Sequence, residues 1–394
     1  MATYDLDRVE LNHLLTPNID PAARAAVVDY LLNHGGFDDD ADDDQHHGHH
    51  GHDDHGHDDH GHHQGHHHDD DPTVMVQISD GGHPLDPDAQ VLSLTTADNT
   101  VTTDAALRVI VENVPGDASL TVHGDNDVLV VTGDGNDHVF LQDSGDDVVM
   151  TGAGNDTVNG GDGADSIYGG AGDDSLIAGT GDHQLLSGGD GNDTLIGGDG
   201  SHSTLSGGGG NDSLVAGNGD QQVLYGGGGS DTLIGGGGSH DSLYGSNGSD
   251  YLHAGTGDHQ LLSGGDGNDT LYGGDGSYDT LMGGNGSDLM YAGHGAHQLL
   301  IGSNGSDTMY AGTSGDTLEG GGGSDLFHLT GNHVSDTIDG GSGNDTVQFD
   351  SYSSHDIASL HTQHGETVIE FRDGQTVTVT HVENLVFTDV TQHL

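Results

Sequence analysis

The sequence predicts an all-β fold: a parallel solenoid of about 12 rungs, preceded by a small helical segment and followed by a strand-rich cap. Three observations predict it. Between residues 137 and 345 an aspartate recurs every 18 to 20 residues, most often every 19. Two residues after each comes a lone apolar residue, in order Val139, Val158, Leu176, Leu195, Leu214, Leu233, Leu252, Leu271, Met290, Met309, Phe327 and Val347. Glycine fills the intervals, with 73 in a chain of 394 residues. One such unit cannot bury its apolar side chain alone, whereas stacked copies share a continuous core. Two short strands and two glycine-rich bends per turn give two parallel sheets with rungs about 4.8 Å apart, a rod of roughly 55 Å.

Composition limits the partners. Hydrophobic residues make up only 30% of the chain, which has no Cys and no Trp, less apolar material than an ordinary globular core requires. Against 66 acidic residues stand Arg8, Arg24, Arg108 and Arg372 and no lysine, a formal net charge of −62. Such a chain repels nucleic acid and anionic membranes, and swells unless cations bind it. Neither a nucleic-acid partner nor membrane insertion is expected. No run approaches 18 apolar residues, so no transmembrane helix is predicted. The opening "MATYDLDRVELNHLL" lacks the basic and continuously apolar regions of a cleaved signal peptide.

The elements follow in chain order. Within residues 1–37 one helix is expected over 21–33, with Asp20 as N-cap, Pro21 at its first position and "HGG" ending it. Residues 38–71 are a low-complexity His/Asp tract that cannot build a core. It holds His46, His47, His49, His50, His52, His55, His57, His60, His62, His63, His66, His67 and His68. Imidazole and carboxylate at this density suit Zn²⁺, Ni²⁺ or Cu²⁺; a solvated spacer titrating near pH 6.5 is the other reading. From 72 to 129, "TVMVQI", "QVLSLTT", "LRVIVENV" and "SLTVHG" read as short strands of lead-in rungs. The repeat array occupies 130–348. Residues 349–394 return to ordinary strand-like sequence, with a hairpin expected at "RDGQ".

The aspartate column is Asp137, Asp156, Asp174, Asp193, Asp212, Asp231, Asp250, Asp269, Asp288, Asp307, Asp325 and Asp345. Carboxylates stacked at strand spacing repel one another unless a cation lies between them. Carboxylate with several backbone carbonyls is hard-oxygen chemistry that suits Ca²⁺, with six to eight ligands, better than octahedral Mg²⁺. Half a period away runs a less uniform column: Asp147, Asp165, His183, His202, Gln221, His240, His259, Tyr278, His297, Asp316 and Asp336. Between residues 178 and 301 the half-repeats alternate 9 and 10 residues, so one edge carries all the longer bends. There the position two before the column leucine is Gln184, Ser203, Gln222, Asp241, Gln260, Asp279 or Gln298. This edge reads as a His/Gln ladder with isolated cation sites at Asp241 and Asp279. The neighbours His183/His202 and His240/His259 either stack without metal or share Zn²⁺ or Cu²⁺.

The tandem phrase "GGDGNDTLY" resembles the GGxGxDxUx nonapeptide of RTX (repeats-in-toxin) secreted proteins, and the resemblance covers residues 130–348. It implies a β-roll with calcium held between the bends of successive turns on one edge. Carried over residue by residue, the ligands would be the twelve aspartates of the first column, together with Asp147, Asp165, Asp316 and Asp336. It also implies folding coupled to Ca²⁺, and a C-terminal module that directs an unfolded chain through the type I secretion apparatus. The destination would be extracellular or at the cell surface. Neither HExxH nor GxSxG occurs, and 72–129 is short for the catalytic domains that accompany such arrays. The expectation is a non-enzymatic structural, adhesive or matrix protein whose partners are surface polysaccharide or other copies of itself. Two alternatives stand beside it: transition-metal sequestration through the His/Asp tract, and a polysaccharide-acting enzyme using the acidic groove.

Overall fold

Like pairs with like along the whole array. In the first sheet Leu186 lies beside Leu205, Leu205 beside Leu224, and Leu224 beside Leu243. In the second, Leu195 lies beside Leu214 and Leu214 beside Leu233. A parallel ladder with a register of one period is the only pairing that superposes every glycine, aspartate and leucine on its counterpart. The computed structural model describes residues 2–6, 27, 74–79, 89–103, 107–112, 114–313, 315–329 and 335–394. The helix expected over 21–33 lies outside the described residues except for Val27, which is helical and buried. The His/Asp tract lies wholly outside them.

Among the described residues the first sheet has 19 strands and the second 16. In the array, six-residue strands such as Thr204–Gly209 alternate with three-residue strands such as Ser213–Val215. Each short strand buries only its middle residue. Leu195, Leu214, Leu233, Leu252 and Leu271 are all fully buried, as are Leu186, Leu205, Leu224, Leu243 and Leu262 opposite them. Each such leucine contributes about 1.5–3 kcal/mol. The core is one side chain thick, and that sets the fold's dependence on what happens at its bends.

Parallel pairing extends beyond the array at both ends. Val74–Ser79, Val91–Leu94, Val109–Glu112 and Leu129–Val131 are consecutive rungs of the first sheet. Ala2–Leu6 pairs antiparallel with Val74–Ser79, covering an edge that would otherwise invite another strand. At the far end Thr376–Thr380 adds in parallel to Asp336–Gly343. It then reverses into Glu366–Phe371, which pairs with Ile357–Gln363. The first of these hairpins turns at "RDGQ", where the Gly374 N–H donates to the Phe371 carbonyl at 3.1 Å. The second turns at His364 and Gly365, both at positive φ (57° and 88°), the backbone of a primed hairpin turn. Phe349, Phe371, Phe387 and Tyr352 stack over the last rung and close the core.

Candidate metal centre

The bends between the six-residue and three-residue strands form the first edge, and the aspartate column lines it. None of its twelve members is more than 3% exposed. In all but Asp137, Oδ1 accepts the backbone N–H of the aspartate one turn earlier, from Asp137 to Asp156 at 2.8 Å through Asp193 to Asp212 at 2.7 Å to Asp325 to Asp345 at 2.9 Å. The chain of bonds is unbroken between. Glu383 terminates it by accepting the Asp345 N–H at 2.8 Å. The second oxygen, Oδ2, is buried in all twelve without a hydrogen-bond partner. Thr132 and Thr151 lie close enough to the first two carboxyls to oppose their upward shift, while their hydroxyls donate to the Thr151 and Gly169 carbonyls.

Two glycines of the phrase are dictated by this arrangement. A Cβ on Gly188 would lie 2.1 Å from Asp193 Oδ2, so the bare Cα gives this inward carboxylate its room; Thr132 and Thr151 take the same position before Asp137 and Asp156. Gly191, at φ +140°, has the Gly172 carbonyl 2.0 Å from where a Cβ would be; its hand and its closeness both exclude a side chain. The bend therefore crowds carbonyls and carboxylates together.

Burial pushes these carboxyls above their ordinary range, to about 7 for Asp174 and Asp288 and about 6 for Asp137, Asp212 and Asp250. Neighbouring column aspartates add to the upward push at each. A buried anionic oxygen with no donor is the group a divalent cation satisfies. Among the described residues no three His, Asp or Glu side chains converge on one point, so a cation here draws on at most two carboxylates and on bend carbonyls. That hard-oxygen donor set fits Ca²⁺.

The second edge is built differently. The extra residue of each longer bend is His183, His202, Gln221, His240, His259, Tyr278 or His297, and each sits in the left-handed region at φ between 60° and 66°. The backbone N–H groups of the first six donate one turn on, as His183 to the Ser201 carbonyl and His259 to the Ser277 carbonyl, both at 2.9 Å. The next residue is the one that turns inward. Gln184, Gln222, Gln260 and Gln298 are buried, and their Nε2 groups donate to the carbonyls of Gly163, Gly200, Gly238 and Gly276 at 2.5–2.6 Å. A neutral amide thus fills the place of a cation. Asp241 and Asp279 lie buried among these glutamines, and the Gly238 and Gly276 carbonyls leading into them are already taken by Gln260 and Gln298. Adjacent aspartates recur on this edge at its two ends: the Asp147 N–H donates to Asp165 Oδ1 at 3.0 Å, and the Asp316 N–H to Asp336 Oδ1 at 2.9 Å, with Asp316 Oδ2 accepting the Gly312 N–H at 2.8 Å.

Of the two readings the sequence allowed at the histidine pairs, the rings take the stacked arrangement. His183 and His202 stack with centroids 5.0 Å apart and planes at 7°, and His240 and His259 at 5.1 Å and 7°. Parallel rings at that spacing hold equivalent nitrogens about 5 Å apart, beyond the roughly 4 Å that one ion with bonds of about 2 Å can bridge. The left-handed backbone, which the spacing alone did not reveal, is what turns these rings outward into a stack. Glu383 also escaped the sequence reading, since it stands outside the repeat phrase.

The family model for the RTX calcium-binding nonapeptide repeat (4 copies) matches residues 141–176, 178–201, 202–220, 225–258, 259–277, 278–296, 300–333 and 335–350, together half of the chain. The chain belongs to the RTX calcium-binding repeat family. RTX repeats bind calcium, and this RTX chain is a calcium-binding β-roll. A search of curated proteins found no match. Among the described residues no helix of this RTX protein is long and apolar enough to cross a membrane.

Two outcomes are expected. Carboxyls raised above their unfolded value of 3.8 favour the metal-free roll only while protonated; their contribution is complete below about pH 4 and is lost as pH rises through about 6 to 7. In chelator, the sheet signal in circular dichroism will therefore be larger at pH 4.5 than at pH 7.5; an equal or smaller signal at pH 4.5 contradicts this. The two edges should also separate by mutation. Asp231→Asn will move the calcium midpoint of folding to higher concentration. Gln260→Ala removes no calcium ligand, so it will move that midpoint less than Asp231→Asn does while costing about 1–3 kcal/mol in urea unfolding of the calcium form, through the carbonyl left without a donor. Equal midpoint shifts in the two variants would show the edges to be alike.

Proposed function

We propose that this RTX protein is exported unfolded, folds on calcium outside the cell and serves there as a non-enzymatic structural or adhesive element of the surface or matrix. The observation that carries the reading is the unbroken column of buried carboxylates on the first edge, each with one oxygen lacking a donor. Such a column penalises the compact state wherever free calcium is scarce, as in the cytosol, and rewards it in a calcium-rich medium. A chain held open in this way can thread a secretion channel. We place the export signal in residues 349–394 and the calcium in the gaps of the aspartate column. Asp147 with Asp165 and Asp316 with Asp336 supply further sites at the two ends of the second edge.

The outer surface supports a contact role. Tyr272, Tyr291, Tyr310 and His328 form a continuous stack across four rungs, with centroids 4.4–4.6 Å apart and planes within 11°. Because each ring covers its neighbour's face, the stripe offers ring edges and a row of hydroxyls at the rung spacing, a surface matched to a regular hydroxylated polymer or to a second roll. Fractionation of the producing cells tests the proposal. With millimolar calcium, the full chain should reside in the medium or on the surface in a protease-resistant form, and chelator should make it protease-sensitive. Retention in the cytosol, or resistance unchanged by chelator, would overturn the reading.

A further inference from the structure

The turn just before the first column aspartate departs from the pattern in two places. Ser119 pairs with His138, which sets Ala118 level with Asp137, so this turn has alanine where every later one has its carboxylate. The rest of the bend is preserved. Ala118 N–H donates to Asp137 Oδ1 at 2.8 Å, and the Asn136 N–H donates to Asp117 Oδ1 at 2.9 Å. A Cβ on Gly135 would lie 2.7 Å from the Gly116 carbonyl oxygen, as one on Gly154 would meet that of Gly135. The stacked carbonyls therefore run one turn further than the aspartates do.

The second departure offsets the first. Val111 pairs with Val131, which sets Glu112 level with Thr132. That position lies five residues before Asp137, as Gly188 lies five before Asp193. The next two turns have Thr132 and Thr151 at this position and every turn from Gly169 to Gly340 has glycine, whereas this one has a glutamate. Glu112 is 1% exposed. Its Oε1 accepts from Asn99 Nδ2 at 2.8 Å, while Oε2 is buried without a partner. Asp137 is among the charges acting on it, and Asp137 Oδ2 is the next orphaned oxygen along the edge.

We infer that Glu112 supplies from the opposite strand the carboxylate that Ala118 lacks, so that a calcium ion is held between Glu112 Oε2 and Asp137 Oδ2, one site beyond the repeats. The site would seal the array against the lead-in rungs, whose core includes Leu120, Val122 and Val130. It rests on the assignment of calcium to the aspartate column.

Native mass spectrometry of the full chain in calcium counts ions one at a time. Glu112→Gln keeps the acceptor for Asn99 and removes the charge, and it should saturate with one calcium fewer than the wild type. The double variant Glu112→Gly with Ala118→Asp, which has the layout of the later turns, should restore the count. A wild type that holds no calcium overturns the column assignment itself. A wild type that holds calcium, with an equal count in Glu112→Gln, overturns only the extra site and leaves Glu112 as a neutral acid bonded to Asn99. Hydrogen exchange on the wild type gives a readout independent of either variant. Residues 107–131 should gain protection over the same calcium range as the array, and protection indifferent to calcium contradicts the site.

Discussion

Carboxylates held one strand spacing apart in a bend closed to water are the constraint under which this molecule is built. At about 5 Å and an effective dielectric near 20, each neighbouring pair repels by about 3 kcal/mol. A single buried leucine contributes no more than that, and each turn has only one on each sheet. The repulsion is repeated at every rung from Asp137 to Asp345, so it grows with the length of the rod as fast as the core does. A divalent ion between the rungs reverses its sign. The same geometry that is repulsive in the free chain is then attractive, and compaction and ion binding become one event.

The two edges meet one problem with different chemistry. On the first, a bare glycine lets an acid turn inward and leaves an oxygen for a cation. On the second, one inserted left-handed residue brings a glutamine inward, and its amide hydrogen reaches the carbonyl of an earlier turn. The amide is permanent and neutral; the ion comes and goes with its concentration. A roll closed by amides on both edges would fold wherever it was made, and a roll closed by ions on both would carry still more charge. Pairing one of each gives a structure whose folding is conditional along one side and braced along the other.

Much of this was legible in the sequence because a solenoid converts period directly into contact. The spacing of Leu186, Leu205 and Leu224 is itself the register of the first sheet, and the aspartate column could be read without any knowledge of the bends. What the period did not carry was the hand of the backbone. His183 and Gln184 are adjacent in the chain, yet one stands outside at φ 62° and the other is buried. Spacing identified the insertion but not which of the two residues would face the metal position. Non-repeating contributions were also invisible. Ala2–Leu6 finds its partner about seventy residues on, while Glu383 and Glu112 enter the edge from segments outside the repeat phrase.

The central claim, that ions between the turns make this acidic, thin-cored chain compact, is tested most directly by titrating calcium into the metal-free protein at neutral pH. Sheet content and hydrodynamic radius should be followed together. The account predicts an expanded coil in chelator that collapses cooperatively, with both signals changing over one calcium range and magnesium failing to substitute. A chain that keeps its sheet and its small radius after every ion is removed would contradict it.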